Sequence, residues 1–234
     1  MNERDRLHHS EHETKFVLNR AATPAFLRWL ECRCRTDPIH PAGTIWSIYY
    51  DTREWHFLGE KINSDFLKTK VRIRWYADIM TGEMVNESFL EAKLRTGSRR
   101  KKIRLQTNIS GRRLTRINLN HPWLLSLPRL LRQKGVLLPD ILLPVFRIKY
   151  NRRRFIEPTT GMKLSLDYDI RVAGVNWQMI PRINPFQLRH AVVELKGKLS
   201  GLPDVLHQLT ALGARKESFS KYLMCYQKIM RTHF

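Results

Sequence analysis

The chain has 234 residues, with 42 Lys and Arg against 21 Asp and Glu, a formal charge of +21; 42 % of the residues are apolar and 10 % aromatic. That length and apolar content suffice for a packed core, and they exclude a disordered tail, a collagen-like repeat and a disulfide scaffold. A membrane-spanning helix is excluded as well: the most apolar stretch, Leu124–Val145, is broken by Pro128, Arg129, Arg132, Lys134, Asp140 and Pro144, and a span needs about 20 mostly apolar residues.

In chain order, residues 1–10 are polar, lack an apolar leader and read as a flexible extension, with no secretory signal expected. Glu13–Leu18 alternates and reads as a strand. Thr23 then reads as an N-cap, with Pro24 at the first helical position and an apolar stripe of Phe26, Leu27 and Leu30 over Ala25–Arg35. Asp37–Gly43, with Pro38, Pro41 and Gly43, is a loop. Thr44–Tyr50 is rich in β-branched and aromatic residues and reads as a strand. Further strands are predicted at Lys68–Asp78, Ser88–Arg95, Lys101–Thr107, Phe146–Phe155, Met162–Ile170 and His190–Lys196. Leu114–Val136 is read as helical with interruptions near Pro122 and Pro128, and Pro203–Leu212 and Phe219–Met230 as helices. No internal repeat or linker divides the chain, so a single domain over 1–234 is expected. Cys32, Cys34 and Cys225 form no CxxC pair and read as free thiols of a reducing compartment; a cytoplasmic protein is the expectation.

The predicted strands share a pattern. Residues i and i+2 lie on one face, so Lys70, Arg72 and Arg74 share one side of their strand, and Val71, Ile73 and Trp75 the other. Glu91-Ala92-Lys93-Leu94-Arg95, Lys102-Ile103-Arg104-Leu105, Lys163-Leu164-Ser165-Leu166-Asp167 and Val193-Glu194-Leu195-Lys196 repeat it. For a single strand this is the ordinary pattern of a sheet with one wet face. Repeated so densely, it suggests an antiparallel barrel with a charged interior and helices packed outside, an α+β fold. A basic interior repels itself unless an anion fills it, and low-dielectric walls strengthen its attraction for a compact polyanion such as a triphosphate. Between Glu91 and Glu157 stand eighteen Lys and Arg and a single acid, Asp140. The consecutive cations of Arg99-Arg100-Lys101-Lys102 and Arg152-Arg153-Arg154 cannot all face one interior, so some face outward.

Glu11-His12-Glu13-Thr14-Lys15 matches the ExExK pattern that opens the first strand of the triphosphate tunnel metalloenzymes. Ser47-Ile48-Tyr49-Tyr50-Asp51-Thr52, Lys70-Val71-Arg72-Ile73-Arg74-Trp75-Tyr76 and Phe89-Leu90-Glu91-Ala92-Lys93 follow in order. Lys101-Lys102, Tyr150-Asn151-Arg152, Leu164-Ser165-Leu166-Asp167, Val193-Glu194-Leu195-Lys196 and Ser220-Lys221-Tyr222 continue the series. From about Glu11 to Tyr226 the chain resembles the VTC domain, the catalytic domain of polyphosphate polymerases. The resemblance implies an antiparallel tunnel barrel with helices outside. It implies Arg72, Arg74, Lys93, Lys102 and Arg152 as the groups acting on the phosphates, with Lys15, Tyr150, Lys163, Ser220 and Lys221 as further phosphate-binding positions. It implies Glu194 as the metal-holding carboxylate, which we rank ahead of Glu13, with Glu11 last. A hard ion such as Mn²⁺ or Mg²⁺ suits carboxylate and phosphate oxygens, and guanidinium groups grip phosphate bidentately.

The implied activity is transfer of the ATP γ-phosphate to a growing polyphosphate chain. Two alternatives stay open: a triphosphatase or nucleoside triphosphate hydrolase on the same site, with Glu13 or Glu91 orienting water, and a non-catalytic polyanion binder. ATP and polyphosphate or triphosphate are the expected partners, an anionic membrane or a protein is a further one, and nucleic acid ranks below these. Ser218 stands where the family often has a lysine. The remaining signals have bland readings. His8, His9 and His12 read as solvated. Trp46, Trp55, Trp75, Trp123 and Trp177 read as core or interface residues, and Asp167 and Asp169 as partners of arginines.

Overall fold

The computed structural model describes residues 12–180, 184–198 and 201–232; the flexible extension expected at 1–10, with Glu11, His8 and His9, lies outside them. The strands are β1 (His12–Asn19), β2 (Arg35–Thr36), β3 (Ala42–Asp51), β4 (Leu67–Ala77), β5 (Met84–Thr96), β6 (Arg99–Thr107), β7 (Leu143–Ile156), β8 (Lys163–Val175), β9 (Phe186–Gln187), β10 (His190–Gly197) and β11 (Arg215–Lys216). The helices are α1 (Thr23–Arg33), α2 (His56–Ile62), α3 (Gly111–Arg116), α4 (Pro122–Ser126), α5 (Pro128–Arg132) and α6 (Lys221–Thr232). The fold is α+β, dominated by antiparallel strands that bond in the order β11-β1-β10-β8-β7-β3-β4-β5-β6. The expected closed barrel is corrected here: among the described residues no ladder joins β6 to β11, and the pairing path is open.

The chain forms two compact units. The first takes its described residues from 1–42, 152–168 and 189–219, the second from 43–151, 169–188 and 220–234; β7 and β8 pass through both.

In the first unit, β1 pairs with β10 and β10 with β8. Strand alternation sends Phe16, Leu18, Leu164, Leu166, Val193 and Leu195 to one face, where Phe26 and Leu30 of α1 and Leu206 and Leu209 cover them. Each such fully buried side chain contributes roughly 1.5–3 kcal/mol of transfer free energy. The helix predicted over Pro203–Leu212 is a 3-10 turn, Asp204–Leu209. Thr23 is the first residue of α1 rather than its cap: Ala22 precedes it without a side-chain bond, and the cap falls earlier, where Asn19 accepts from the Ala21 N–H at 3.0 Å.

In the second unit, β3, β4, β5 and β6 form a meander. Its apolar face, with Ile48, Val71, Ile73, Trp75, Leu90 and Ala92, packs on Leu114, Leu124 and Leu131 of α3–α5 and on Leu127 between α4 and α5. The stretch Leu114–Val136, expected to be helical with interruptions near Pro122 and Pro128, is divided among three short helices. Pro122 and Pro128 each open a new one at its first turn, where proline's missing N–H costs nothing. Helix α2 was absent from the sequence reading. Its start is held by the buried Asp51, whose carboxylate accepts from the N–H groups of Thr52, Phe57 and Leu58 at 2.8, 2.8 and 3.0 Å. Trp177, expected in a core or interface, is 52 % exposed.

The core tolerates no extra atom where α3 meets β4. Trp75 is fully buried and stacks on Trp46 with ring centroids 6.0 Å apart. A Cβ on Gly111 would lie 2.5 Å from Trp75 Cδ1. The ring has no room to retreat, so Gly111→Ala is expected to destabilise the fold by about 1–3 kcal/mol despite alanine's better helix propensity. Urea unfolding reads this as a lowered midpoint at unchanged slope.

Candidate functional site

Alternation that sends apolar side chains under the helices sends charged ones to the opposite face in both units. In the second unit the register sets Tyr49, Arg72, Glu91 and Arg104 in one row across β3–β6, with Ser47, Arg74, Phe89 and Gln106 beside it. Lys70, Lys93 and Lys102 form the next row towards the β5–β6 turn.

Glu91 is the hub of this face. It is 2 % exposed and surrounded by cations: Arg72 Nη2 at 2.8 Å, Lys102 Nζ at 3.0 Å, Arg104 Nε at 3.6 Å and Arg74 Nη1 at 3.9 Å. Burial alone would raise its pKa, but the attraction of Arg72, Arg74 and Lys102 wins and holds it at about 2. The carboxylate is therefore charged throughout the physiological range. It answers one of four positive charges around it, which leaves this face with a cationic surplus.

The arginines are fixed by further bonds. Arg72 donates to the Tyr49 hydroxyl at 3.4 Å. Arg74 donates to Ser47 Oγ at 3.4 Å and to the Tyr150 hydroxyl at 3.3 Å. The start of α6 lies on the same face. Ser220 Oγ accepts from Lys70 Nζ at 3.4 Å, and Lys221 Nζ stands 4.6 Å from the centre of the Tyr150 ring. Tyr222 packs on Tyr49 at 5.4 Å and donates to Asp51 Oδ2 at 2.6 Å. Burial raises the Asp51 pKa against the Tyr222 hydroxyl and the backbone N–H groups. Of the expected positions, Arg72, Arg74, Lys93, Lys102, Tyr150, Ser220 and Lys221 all belong to this unit.

The first unit carries the remaining ones. Cross-strand pairing sets Glu13 opposite Lys196 and Lys15 opposite Glu194, a square of alternating charge. Lys15 Nζ lies 3.1 Å from Glu13 and 4.0 Å from Glu194; Lys196 Nζ lies 2.9 Å from Glu194 and 3.9 Å from Glu13. Lys163 is paired with Lys196 across β8 and β10. Arg152 grips the buried Asp167 bidentately, at 2.5 and 2.8 Å. Asp169 departs from the expected arginine pairing. It belongs to the second unit, takes a left-handed backbone conformation, φ 53°, and accepts from Gln187 Nε2 at 2.5 Å.

The donor set suits a hard divalent ion. Glu13 and Glu194 stand at opposite corners of this square, each side chain 13 % exposed, and such ions are commonly held by one or two carboxylates completed by phosphate oxygens and water. Among the described residues no group of three or more His, Cys, Asp or Glu gathers.

Sequence reasoning passed over Arg104, Lys196 and the hub role of Glu91. The signal was available: each lies two residues from an expected position on the same strand face. Asp51 and Tyr222, which fix α6 over Tyr49, carried no such signal, because they meet only through tertiary folding.

The VTC domain family model matches residues 10–230. None of the curated proteins matches the chain. Among solved structures, the PH1819 protein of Pyrococcus horikoshii OT3 superposes with a TM-score of 0.50 at 14 % identity, over 93 % of this chain and 99 % of that one. A conserved hypothetical protein of Pyrococcus furiosus follows with a TM-score of 0.44 at 12 % identity, over 91 % and 99 %. At such identities the first likeness speaks for the fold alone. The family match spans nearly the whole chain, including every strand that carries the two charged faces, and this protein belongs to the VTC domain family.

Proposed function

We propose that this protein is a metal-dependent phosphotransferase that moves the γ-phosphate of ATP onto the end of a polyphosphate chain. The observation that carries the reading is the cationic surplus around Glu91. Arg72, Arg74, Lys102 and Arg104 converge on a single carboxylate, an arrangement suited to a linear polyanion. Family membership supports the same substrate class.

The chemistry asks little of the side chains beyond placement and charge. Phosphoryl transfer passes through a loose transition state with charge spread over the equatorial oxygens, so positioned cations supply most of the catalysis. In this reading Arg72 and Arg74, held by Tyr49, Ser47 and Tyr150, grip phosphate oxygens bidentately, while Lys93 and Lys102 act as point charges. Ser220 and Lys221 at the start of α6 extend the same face. In the first unit, Lys15, Lys163 and Arg152 are the further phosphate-binding positions. Glu194, with Glu13, is the carboxylate pair for Mn²⁺ or Mg²⁺, which would neutralise phosphate charge there. A terminal oxygen of the acceptor chain forms the new P–O bond as the bond from the γ-phosphorus to the β,γ-bridging oxygen breaks, and ADP leaves. The acceptor oxygen is already anionic, so no general base is required.

The test is incubation of the purified protein with ATP and Mn²⁺, products being resolved on a polyphosphate gel beside an ADP assay. The expected result is a ladder of chains with ADP formed in step. Orthophosphate without chains would replace the transferase with a hydrolase, and tight tripolyphosphate binding without turnover would replace it with a receptor.

A further inference from the structure

The β5–β6 turn presents features the phosphate chemistry does not use. Rows of the meander continue past Lys70, Lys93 and Lys102 to the turn itself, where Lys68, Arg95 and Arg100 pair across three strands. Arg99 and Lys101, opposite Thr96 and Leu94, occupy the other strand face. The turn is thus cationic on both sides, and Arg95, Arg99, Arg100 and Lys101 are exposed. Cross-strand like charges repel.

Large apolar side chains stand among these cations. Phe66 is 69 % exposed, Leu67 57 % and Ile62, at the end of α2, 55 %. Phe66 and Leu67 are tied to the turn by backbone and ring: Gly97 N–H donates to the Phe66 carbonyl at 2.9 Å, Leu67 pairs with Thr96, and the Phe66 ring lies over Gly97. Exposed apolar groups clustered at one tip mark an interaction surface. Linear polyphosphate has no apolar part to meet Phe66 and Leu67. A single aromatic ring beside two aliphatic side chains is a poor stacking platform for nucleic acid bases. An anionic bilayer answers both features: its headgroups attract Lys and Arg at about 1 kcal/mol each, and its interface accepts Phe, Leu and Ile.

We propose that the β5–β6 tip, with Phe66 and Leu67, docks this protein peripherally on an anionic lipid surface. The proposal is independent of the phosphate chemistry. Residues placed in that chemistry are left intact by the test variants.

The test is co-sedimentation of the full chain with phosphatidylcholine vesicles with and without phosphatidylserine, near physiological salt. Binding is expected only with phosphatidylserine. Neutralising two cations in R99Q/K101Q is expected to weaken it about 30-fold. F66S/L67S is expected to weaken it at least tenfold while leaving its salt dependence unchanged. Both variants should melt like the wild type and keep its tripolyphosphate affinity, which separates lost docking from lost folding. Absence of binding to phosphatidylserine vesicles, or binding indifferent to F66S/L67S, overturns the proposal. Binding of RNA or polyphosphate at the tip, lost in R99Q/K101Q and indifferent to F66S/L67S, also overturns it in favour of a soluble polyanion.

Discussion

Replacing Glu91 with glutamine is expected to lower stability by about 3–5 kcal/mol at neutral pH, the usual result of breaking a buried charge pair from one side. Glutamine keeps the shape of the side chain and removes the negative charge that faces Arg72, Arg74, Lys102 and Arg104. For a chain of this size the melting temperature should fall by roughly 10 °C. The loss has a pH signature. The folded pKa of Glu91 lies at about 2, below its ordinary value of 4.5, so the stabilisation it gives is complete above 4.5. It fades as pH falls from there through 2, and amounts to roughly 3 kcal/mol at 1.36 kcal/mol per pH unit. Wild type and Glu91→Gln should therefore differ most at neutral pH and converge in acid. A parallel offset between the two curves down to pH 2 would mean that Glu91 acts by packing and not by charge. The variant also tests the anion site. With one more uncompensated cation, its face should gain more melting temperature from tripolyphosphate than the wild type gains, by mass action.

Glu194→Ala is expected to lower turnover of ATP at least 100-fold, the scale seen when a group that stabilises transition-state charge is lost. Its cost to stability should be small, about 1 kcal/mol or less, because its partners Lys15 and Lys196 are partly exposed and Lys15 keeps Glu13 at 3.1 Å. Tripolyphosphate affinity should be unchanged or higher, since the variant removes a negative charge from a basic face. This combination, folded and binding yet inactive, separates a metal-holding carboxylate from a structural one. Turnover near the wild-type rate would remove Glu194 from the chemistry. Loss of binding together with turnover would make it a prop for the phosphate-binding lysines.

Much of this was legible in the strands. Alternation in Lys70–Tyr76, in Glu91–Arg95 and in Val193–Lys196 is local, so it announced a charged face and an apolar one before any pairing was known. The two cores and the two charged faces follow that split residue by residue. Pairing is a different matter. β1 meets β10 nearly the length of the chain away, and nothing in Glu13–Leu18 names Val193 or Glu194 as neighbours. Division into two units and an open pairing path are likewise tertiary outcomes, decided by where β7 and β8 cross from one unit to the other. Pro122 and Pro128, where the sequence predicts interruptions, divide one apolar stretch into separate helices. Trp55, at φ 61°, and the buried Asp51 start α2 in a segment to which the sequence analysis assigns no element. The square of Glu13, Lys15, Glu194 and Lys196 was legible as residue types and illegible as geometry.

Titration of tripolyphosphate into the wild type and Arg72→Ala by calorimetry tests most directly whether the face around Glu91 is the phosphate site. R99Q/K101Q, altered only at the outer turn, is the comparison. The account predicts that Arg72→Ala, folded at the measuring temperature, binds about 100-fold more weakly, because a bidentate, half-buried guanidinium is lost. It predicts no change for R99Q/K101Q. Equal affinity in Arg72→Ala and the wild type, or a loss confined to R99Q/K101Q, would contradict it and move the anion site to the exterior of the sheet.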